Sequence, residues 1–409
     1  MTESDEELWS AGMEVVQRLG EHGHEAYLVG GCVRDRLLGR PLHDVDIATS
    51  ALPEEVMAAF DRTIPTGLQH GTVTVMFGGR PFEVTTYRTE SGYTDARRPD
   101  KVAFVRDIRE DLARRDFTFN AMAAGLNGEW IDPFGGRNDL AEGIVRCVGE
   151  ARERFGEDAL RMVRAIRFAA GFGFRVALSV WRGIRSQGPR LRQVAMERIG
   201  SEWDKMMEGA DPARACSLFG RSGLLLHLKE PLPPAVMAGL QVSGPAAGIR
   251  PLLEIADTDV RWIAWLAGTG AHPEDAARFC KALKFSGKRE TRIAKSLSFH
   301  RAMPERGADV RRAFLTATLD FGRAAALDWL SMKVEGAKYQ KWLDELPAAK
   351  AAQLAVRGDE LVRHAGMPAG PWVSHLLRHL LEETAFGRLA NEKNALLRAA
   401  ETYIVQTKK

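Results

Sequence analysis

Two carboxylates separated by one apolar residue, Asp44-Val45-Asp46, are the first feature of the chain that could do chemistry. His43 to Thr49 alternates as a strand, and side chains on a strand alternate between faces. Both carboxylates therefore leave one face while Val45 packs on the other. Two negative charges held that close repel unless a divalent cation stands between them. Mg²⁺ suits the pair, because it takes oxygen ligands, keeps several waters and shares its remaining positions with substrate phosphates. A lone Asp-x-Asp is weak evidence, since most such pairs are surface or capping residues. Here the run GGCVRD, Gly30 to Asp35, precedes it. It reads as a strand that ends in a glycine turn and opens a helix, where free backbone N–H groups can cradle a phosphate and Arg34 can add charge.

The elements that must position these groups are legible around them. Leu8, Met13, Val15, Val16 and Leu19 predict a helix from about Glu6 to Leu19, Ala26 to Val29 a short strand, and Val33, Leu37 and Leu38 a second helix. Thr72 to Phe77 and Pro81 to Arg88 read as a hairpin around Gly78 and Gly79. The polar run between Arg88 and Lys101, with Gly92 and Pro99, reads as a long mobile loop before a strand at Val102 to Val105. Beyond about Gly149 the strand signals fade. Leucine, alanine and arginine dominate at helical spacing, with breaks at Gly188-Pro189, Pro231 to Pro234 and Ser243 to Ala247. One α/β region followed by helical units is expected, the α+β class.

Composition bounds the reading. The 409 residues, 45% hydrophobic and 27% charged, lie in the ordinary globular range. The acidic start (Glu3, Asp5, Glu6, Glu7) does not resemble a secretory signal, and charge interrupts every long apolar stretch, so neither export nor a membrane span is expected. Cys32, Cys147, Cys216 and Cys280 stand far apart, without CxxC pairs or zinc-like histidine spacing, which argues against a disulfide framework and a structural metal. The cytoplasm is the expected compartment. Net charge is only +3, yet residues 151–200 hold eleven arginines against four acids, and residues 291–409 hold 19 Lys and Arg against 13 Asp and Glu. A polyanion could be held at two places.

The run YLVGGCVRDRLLGRPLHDVDIAT resembles the head signature of the class II tRNA nucleotidyltransferases, or CCA-adding enzymes, and bacterial poly(A) polymerases of the DNA polymerase beta superfamily. HGTVTV (His70 to Val75), RRDFTFNA (Arg114 to Ala121), DPFGGRNDL (Asp132 to Leu140) and EDALRMVRAIRFA (Glu157 to Ala169) continue the resemblance in order. The C-terminal half matches only in length and helical type. The resemblance implies a small mixed-sheet nucleotidyltransferase head over residues 1–149. An all-α neck (150–210), body (211–290) and tail (291–409) follow, the neck reading the base and the tail binding tRNA. It implies catalysis by Asp44 and Asp46 through Mg²⁺, with Glu83 the candidate third ligand. Gly31, Arg34, Arg115, Asp158, Arg161, Arg164 and Arg167 would bind the nucleotide, while Asp116 and Asn120 support the site.

On a helix Asp158 and Arg161 are i and i+3, and Arg164 and Arg167 each lie three further along. An intrahelical salt bridge is the bland reading. Cytosine and adenine, however, both offer an amino donor beside a ring-nitrogen acceptor, so a carboxylate beside a guanidinium complements both, whereas uracil and guanine reverse both contacts. One Asp/Arg pair can then select C and A without a nucleic-acid template. The expected activity is addition of C, C and A to the tRNA 3′ end from CTP and ATP. The nearest alternatives are a poly(A) polymerase or a CC- or A-adding specialist of the same family. The retained loop from Thr89 to Asp100 argues against the CC-only kind. His43 reads as a structural neighbour, and Trp203, Trp262, Trp265 and Trp329 as helical core.

Overall fold

The computed structural model describes residues 2–92, 101–240, 249–304 and 309–407. They divide into two compact units, Met1–Pro231 and Leu232–Lys409. The first opens with helix α1 (Glu3–Glu21), started by a capping box in which Thr2 Oγ1 accepts from the Asp5 amide and Asp5 accepts from the Thr2 amide. Trp9, Val15, Val16 and Leu19 form its buried stripe, each such side chain contributing about 1.5–3 kcal/mol. Then come β1 (Ala26–Val29), α2 (Gly31–Leu37), β2 (Asp46–Thr49), α3 (Pro53–Ala59), β3 (Thr63–Gly67), β4 (Thr72–Phe77) and β5 (Arg80–Thr86). Next are β6 (Arg88–Ser91), β7 (Lys101–Phe104), α4 (Ile108–Ala113), β8 (Ala123–Ala124), β9 (Trp130–Ile131), α5 (Gly136–Glu142) and β10 (Ile144–Val145).

Among the described residues a seven-stranded mixed sheet runs β3-β4-β5-β2-β1-β8-β9. The pair β2·β5 is parallel, and β1·β2 and β4·β5 are antiparallel. The expected first helix, first strand, second helix and hairpin are all present. Two readings are corrected. The strand expected over His43 to Thr49 begins only at Asp46, and Asp44 and Val45 lead into it. The loop expected after Arg88 begins as strand: Arg88 pairs with Phe104 and Ser91 with Lys101 in a separate two-stranded ribbon. The remainder of that loop, residues 93–100, lies outside the described residues.

The helical part of this unit is α6 (Ala151–Glu157), α7 (Leu160–Gly171), a short strand β11 (Arg175–Val176) that pairs with β10, α8 (Leu178–Gln187), α9 (Met196–Glu208) and α10 (Pro212–Ser222). Phe168 of α7 packs on Phe117 and Phe119 of the RRDFTFNA run, with ring centroids 5.6 and 5.3 Å apart. That aromatic seam fixes the arginine-rich helices on the sheet domain.

The second unit is helical, which completes the α+β class expected: α11 (Pro234–Gly239), α12 (Thr258–Gly268), α13 (Pro273–Ala282), α14 (Gly287–Ala302), α15 (Val310–Phe321), α16 (Arg323–Ser331), α17 (Ala337–Asp344), α18 (Gly358–Ala365), α19 (Pro371–Ala385) and α20 (Lys393–Thr407). Phe299, Phe314 and Trp329 pack edge-on and tilted in one core, and Leu361, Leu376, Leu380 and Leu396 lie in another. The four tryptophans expected as core are buried. Arg292 ties the first helices together, donating to Asp328 at 2.7 and 3.0 Å and to Asp257 at 2.9 Å. The four cysteines are buried, and none is in a disulfide. Among the described residues no helix is long and apolar enough to cross a membrane.

Candidate active site

Val45 is fully buried against α1. Gly12 is required there, since a Cβ on it would lie 2.8 Å from Val45 Cγ1. Asp44 is exposed, Asp46 partly buried. The segment leading into them is pinned where the Leu42 amide donates to Asp5 Oδ1 at 2.9 Å. The expected opposition of the apolar residue to its two acidic neighbours therefore stands, although only Asp46 is in the strand. Asp46 pairs in parallel register with Glu83 of β5, which puts both side chains on one face of the sheet as direct neighbours. Burial, then the charge of Asp44, push the Asp46 carboxyl up to about 6, with Glu83 adding to the rise and Arg115 opposing it. The cluster is short of positive charge.

Whether these residues fit a metal is decided by that electrostatics and by their chemistry. Asp44, Asp46 and Glu83 offer oxygen donors only, the set a hard divalent cation takes. Bringing one in relieves the repulsion that raises Asp46. Among the described residues no three His, Cys, Asp or Glu side chains stand close enough together to enclose an ion as they are. Asp44 and Asp46 would hold it, and Glu83, exposed on the neighbouring strand, would have to turn toward it.

Gly30 joins β1 to α2 with φ of 75°, where a side chain would be strained. A Cβ there would stand 2.8 Å from Arg115 Nη1 and 3.8 Å from Asp46 Oδ2. Its bareness lets the guanidinium and the carboxylate sit over the backbone at the start of the helix that carries Gly31 and Arg34. Arg115 is held by Asp111 at 3.3 Å and the Asn120 carbonyl at 3.5 Å, and its buried Nε has no hydrogen-bond partner among the described residues. That leaves a donor for an anionic ligand. Gly30→Ala is expected to cost about 1–3 kcal/mol from the strained positive-φ backbone, whose ψ is −126°. It should also displace Arg115, so that kcat/KM for nucleotide addition falls further than thermal stability does. Steady-state kinetics beside a melting curve test this, and a proportionate small loss in both would mean the glycine serves only the turn.

Arg34 grips Asp35 at 3.0 and 2.7 Å, donates to Asn120 Oδ1 at 2.7 Å, and stacks on Phe168 and Phe172 at 5.2 and 5.1 Å. Asn120 Nδ2 donates to Asp116 Oδ1 at 2.9 Å, and Asp116 Oδ2 accepts from Arg164 Nε at 2.8 Å. Burial alone would raise Asp116, but the Arg164 charge, the Asn120 hydrogen bond and Arg161 together hold it at about 2. Arg167 donates to buried Glu202 of α9 at 2.5 Å and lies over Phe168 at 3.9 Å.

Asp158 and Arg161 depart from the expected geometry. Asp158 is not helical. It sits between α6 and α7 with φ −134° and ψ 107°, so the i, i+3 adjacency of a continuous helix does not form. Its Oδ1 accepts from the Leu160 amide at 3.0 Å, which caps α7, and its partner is Arg198 of α9 at 2.9 Å. Arg161 pairs instead with Glu157 and donates to the carbonyls of Arg154 and Arg114, both at 3.1 Å. The intrahelical Asp158–Arg161 bridge is thus absent, while both groups remain on the same helix start. Much of the arginine excess of residues 151–200 is paired within the fold. Arg198 and Glu202 were not singled out from sequence. Only Glu202 gave a signal, as an acid among the apolar positions Ile199, Trp203 and Met206 of one helix face.

Residues 26–146 match the Poly A polymerase head domain family, residues 173–234 the probable RNA and SrmB-binding site of polymerase A, and residues 253–400 the putative tRNA nucleotidyltransferase domain 2. The chain is 40% identical over 407 residues to the CCA-adding enzyme of Geobacillus stearothermophilus, covering 93% of this chain and 94% of that one. It is 36% identical to the CCA-adding enzyme of Limosilactobacillus reuteri (strain DSM 20016), covering 96% of each. The chain belongs to the class II CCA-adding enzymes. The crystal structure of Bacillus stearothermophilus CCA-adding enzyme in complex with CTP superimposes with a TM-score of 0.85 at 35% identity, over 100% of this chain and 99% of that one. As a CCA-adding enzyme the protein is a nucleotidyltransferase of tRNA processing, in a family that depends on a divalent metal. The match over 253–400 gives the helical half a family signature that its sequence alone did not disclose.

Proposed function

We propose that the protein adds C, C and A to the tRNA 3′ end from CTP and ATP, in the cytoplasm, with Asp44 and Asp46 holding Mg²⁺. The observation that carries the proposal is the line of hydrogen bonds Arg34–Asn120–Asp116–Arg164, which joins the helix opened by the Gly30 turn to the arginine-rich helix α7 through the buried side chains of Asn120 and Asp116. A bound Mg²⁺ supplies charge stabilisation for attack of an RNA 3′-hydroxyl on the α-phosphate and for the departing pyrophosphate. The chain's own residues do the rest. The Gly31 amide and the Arg34 and Arg115 guanidinium groups hold the triphosphate and ribose, and Arg164 and Arg167, locked by Asp116 and Glu202, set the wall of the base pocket. Asp158 keeps lone pairs beyond those used by Arg198 and Leu160, and accepts from the amino group of C or A. Arg161 donates to the ring nitrogen.

In this reading residues 1–149 are the catalytic head, 150–210 the base-reading neck, 211–290 the body and 291–409 the tail that holds tRNA. The test is to offer tRNA ending before CCA, tRNA ending in CC, and an unrelated RNA, each with CTP, ATP or both, and to sequence the 3′ ends. CCA on the first, A on the second and nothing on the third are expected. Long adenosine runs on the unrelated RNA would favour a poly(A) polymerase, and addition of C alone a specialist.

A further inference from the structure

Asp44 and Asp46 are not held alike. Asp46 is in β2, whose backbone pairs with β1 on one side and β5 on the other. Asp44 stops two residues short of that strand. Among the described residues one hydrogen bond holds the backbone of residues 41–44, the Leu42 amide donating to Asp5 Oδ1 at 2.9 Å. Leu42 and Asp5 are both buried, and a buried amide left without its acceptor is costly.

Helix α1 meets this segment twice. Asp5 takes the Leu42 amide, and two turns on Gly12 closes against Val45, where a Cβ would stand 2.8 Å from Cγ1. The buried side chains of Leu42 and Val45 therefore flank Asp44, while His43 and Asp44 are exposed. The same helix reaches the other side of the site. Glu6 ion-pairs with Arg36 of α2 at 3.0 Å, and Arg36 lies over Trp9 at 4.4 Å. The two oxygens of Asp5 have separate duties. Oδ2 accepts from the Thr2 amide at 2.7 Å and from Thr2 Oγ1 at 2.9 Å, which closes the capping box. Capping needs only that oxygen. Oδ1 instead reaches 37 residues along the chain, to the residue two before Asp44.

Groups that orient a metal ligand from behind set its affinity for the ion. We propose that Asp5 is a positioning residue for the metal pair, fixing through the Leu42 amide where Asp44 leaves the chain. This rests on the reading of Asp44 and Asp46 as the Mg²⁺ ligands. The full chain is titrated with Mn²⁺ alone, the free ion being read by electron paramagnetic resonance. The Mg²⁺ requirement for CTP addition to tRNA lacking CCA is measured beside it. Asp5→Ala is expected to weaken Mn²⁺ binding and raise the Mg²⁺ requirement by about tenfold each, the lower end of what losing a ligand-orienting partner costs. Thr2→Ala removes the hydroxyl of the cap but leaves Leu42 its acceptor, so both readings stay at wild type. Unchanged Mn²⁺ affinity in Asp5→Ala, or equal losses in Asp5→Ala and Thr2→Ala, overturns the role and leaves Asp5 a helix cap. Should Asp5→Ala fail to fold, Asp5→Ser, whose side chain is one bond too short for Leu42, carries the same expectation. Asp44→Ala is titrated in parallel. If it binds Mn²⁺ as wild type does, the metal reading beneath is at fault; if it loses affinity and the Asp5 variant does not, this inference alone fails.

Discussion

Asp44→Ala and Asp46→Ala are each expected to abolish nucleotide addition, by roughly a thousandfold or more, the scale on which lost transition-state charge stabilisation is read, while tRNA binding stays within a few-fold of wild type. The split follows from where the groups stand. Asp46 lies at the Gly30 turn with the charge of Asp44 acting on it, and the basic excesses of residues 151–200 and 291–409 lie elsewhere in the chain. The electrostatics adds a second expectation. Asp46 is held against burial and against its acidic neighbours Asp44 and Glu83, so removing its charge relieves repulsion and leaves the melting temperature equal to or above wild type. Near wild-type turnover in either variant removes the pair from the mechanism. A sharp drop in melting temperature would mean that the carboxylates serve the fold.

Asp158→Ala and Arg161→Ala are expected to lose fidelity. Removing the acceptor for the amino group of C and A, or the donor to their ring nitrogen, forfeits about 1–3 kcal/mol of discrimination. Incorporation of UTP and GTP therefore rises relative to CTP and ATP even as the overall rate falls through lost positioning. The structure also gives each residue a supporting task. Asp158 caps α7 and pairs with Arg198, and Arg161 ties Glu157 to the Arg114 carbonyl. Both variants should melt earlier, so stability alone cannot separate the roles. Relative kcat/KM for the four nucleotides does, because a purely structural pair scales all four down together and leaves their ratios unchanged.

The parts of this site legible in the sequence were those set by local rules. Gly30 at the strand-to-helix turn, the Asp44-Val45-Asp46 alternation and the hairpin through Glu83 each depend on neighbours a few residues away, and period-two and glycine logic finds them. The Asp158–Arg161 geometry failed for a reason equally local. The chain breaks its helix between Glu157 and Leu160, with Asp158 extended so that its carboxylate can cap α7, and a helical wheel drawn through EDALR does not register that break. Arg198 and Glu202 were hidden differently. They reach Asp158 and Arg167 only because α9 packs on α7, and no spacing rule connects positions 40 and 35 residues apart. The strand expected over His43 was too long because alternation in sequence continues past the point where the sheet offers a partner. Asp46 pairs with Val29 and Glu83, and the residues before it find none.

The most direct measurement is a single competition. Wild-type protein, Mg²⁺, tRNA lacking its CCA end and equal concentrations of CTP, ATP, UTP and GTP are combined, and the 3′ ends are sequenced. If a carboxylate and a guanidinium select the base at a metal-dependent carboxylate pair, the ends read C, C, A and stop. Ends carrying U or G in proportion to supply, or adenosines extended past the first, would contradict it.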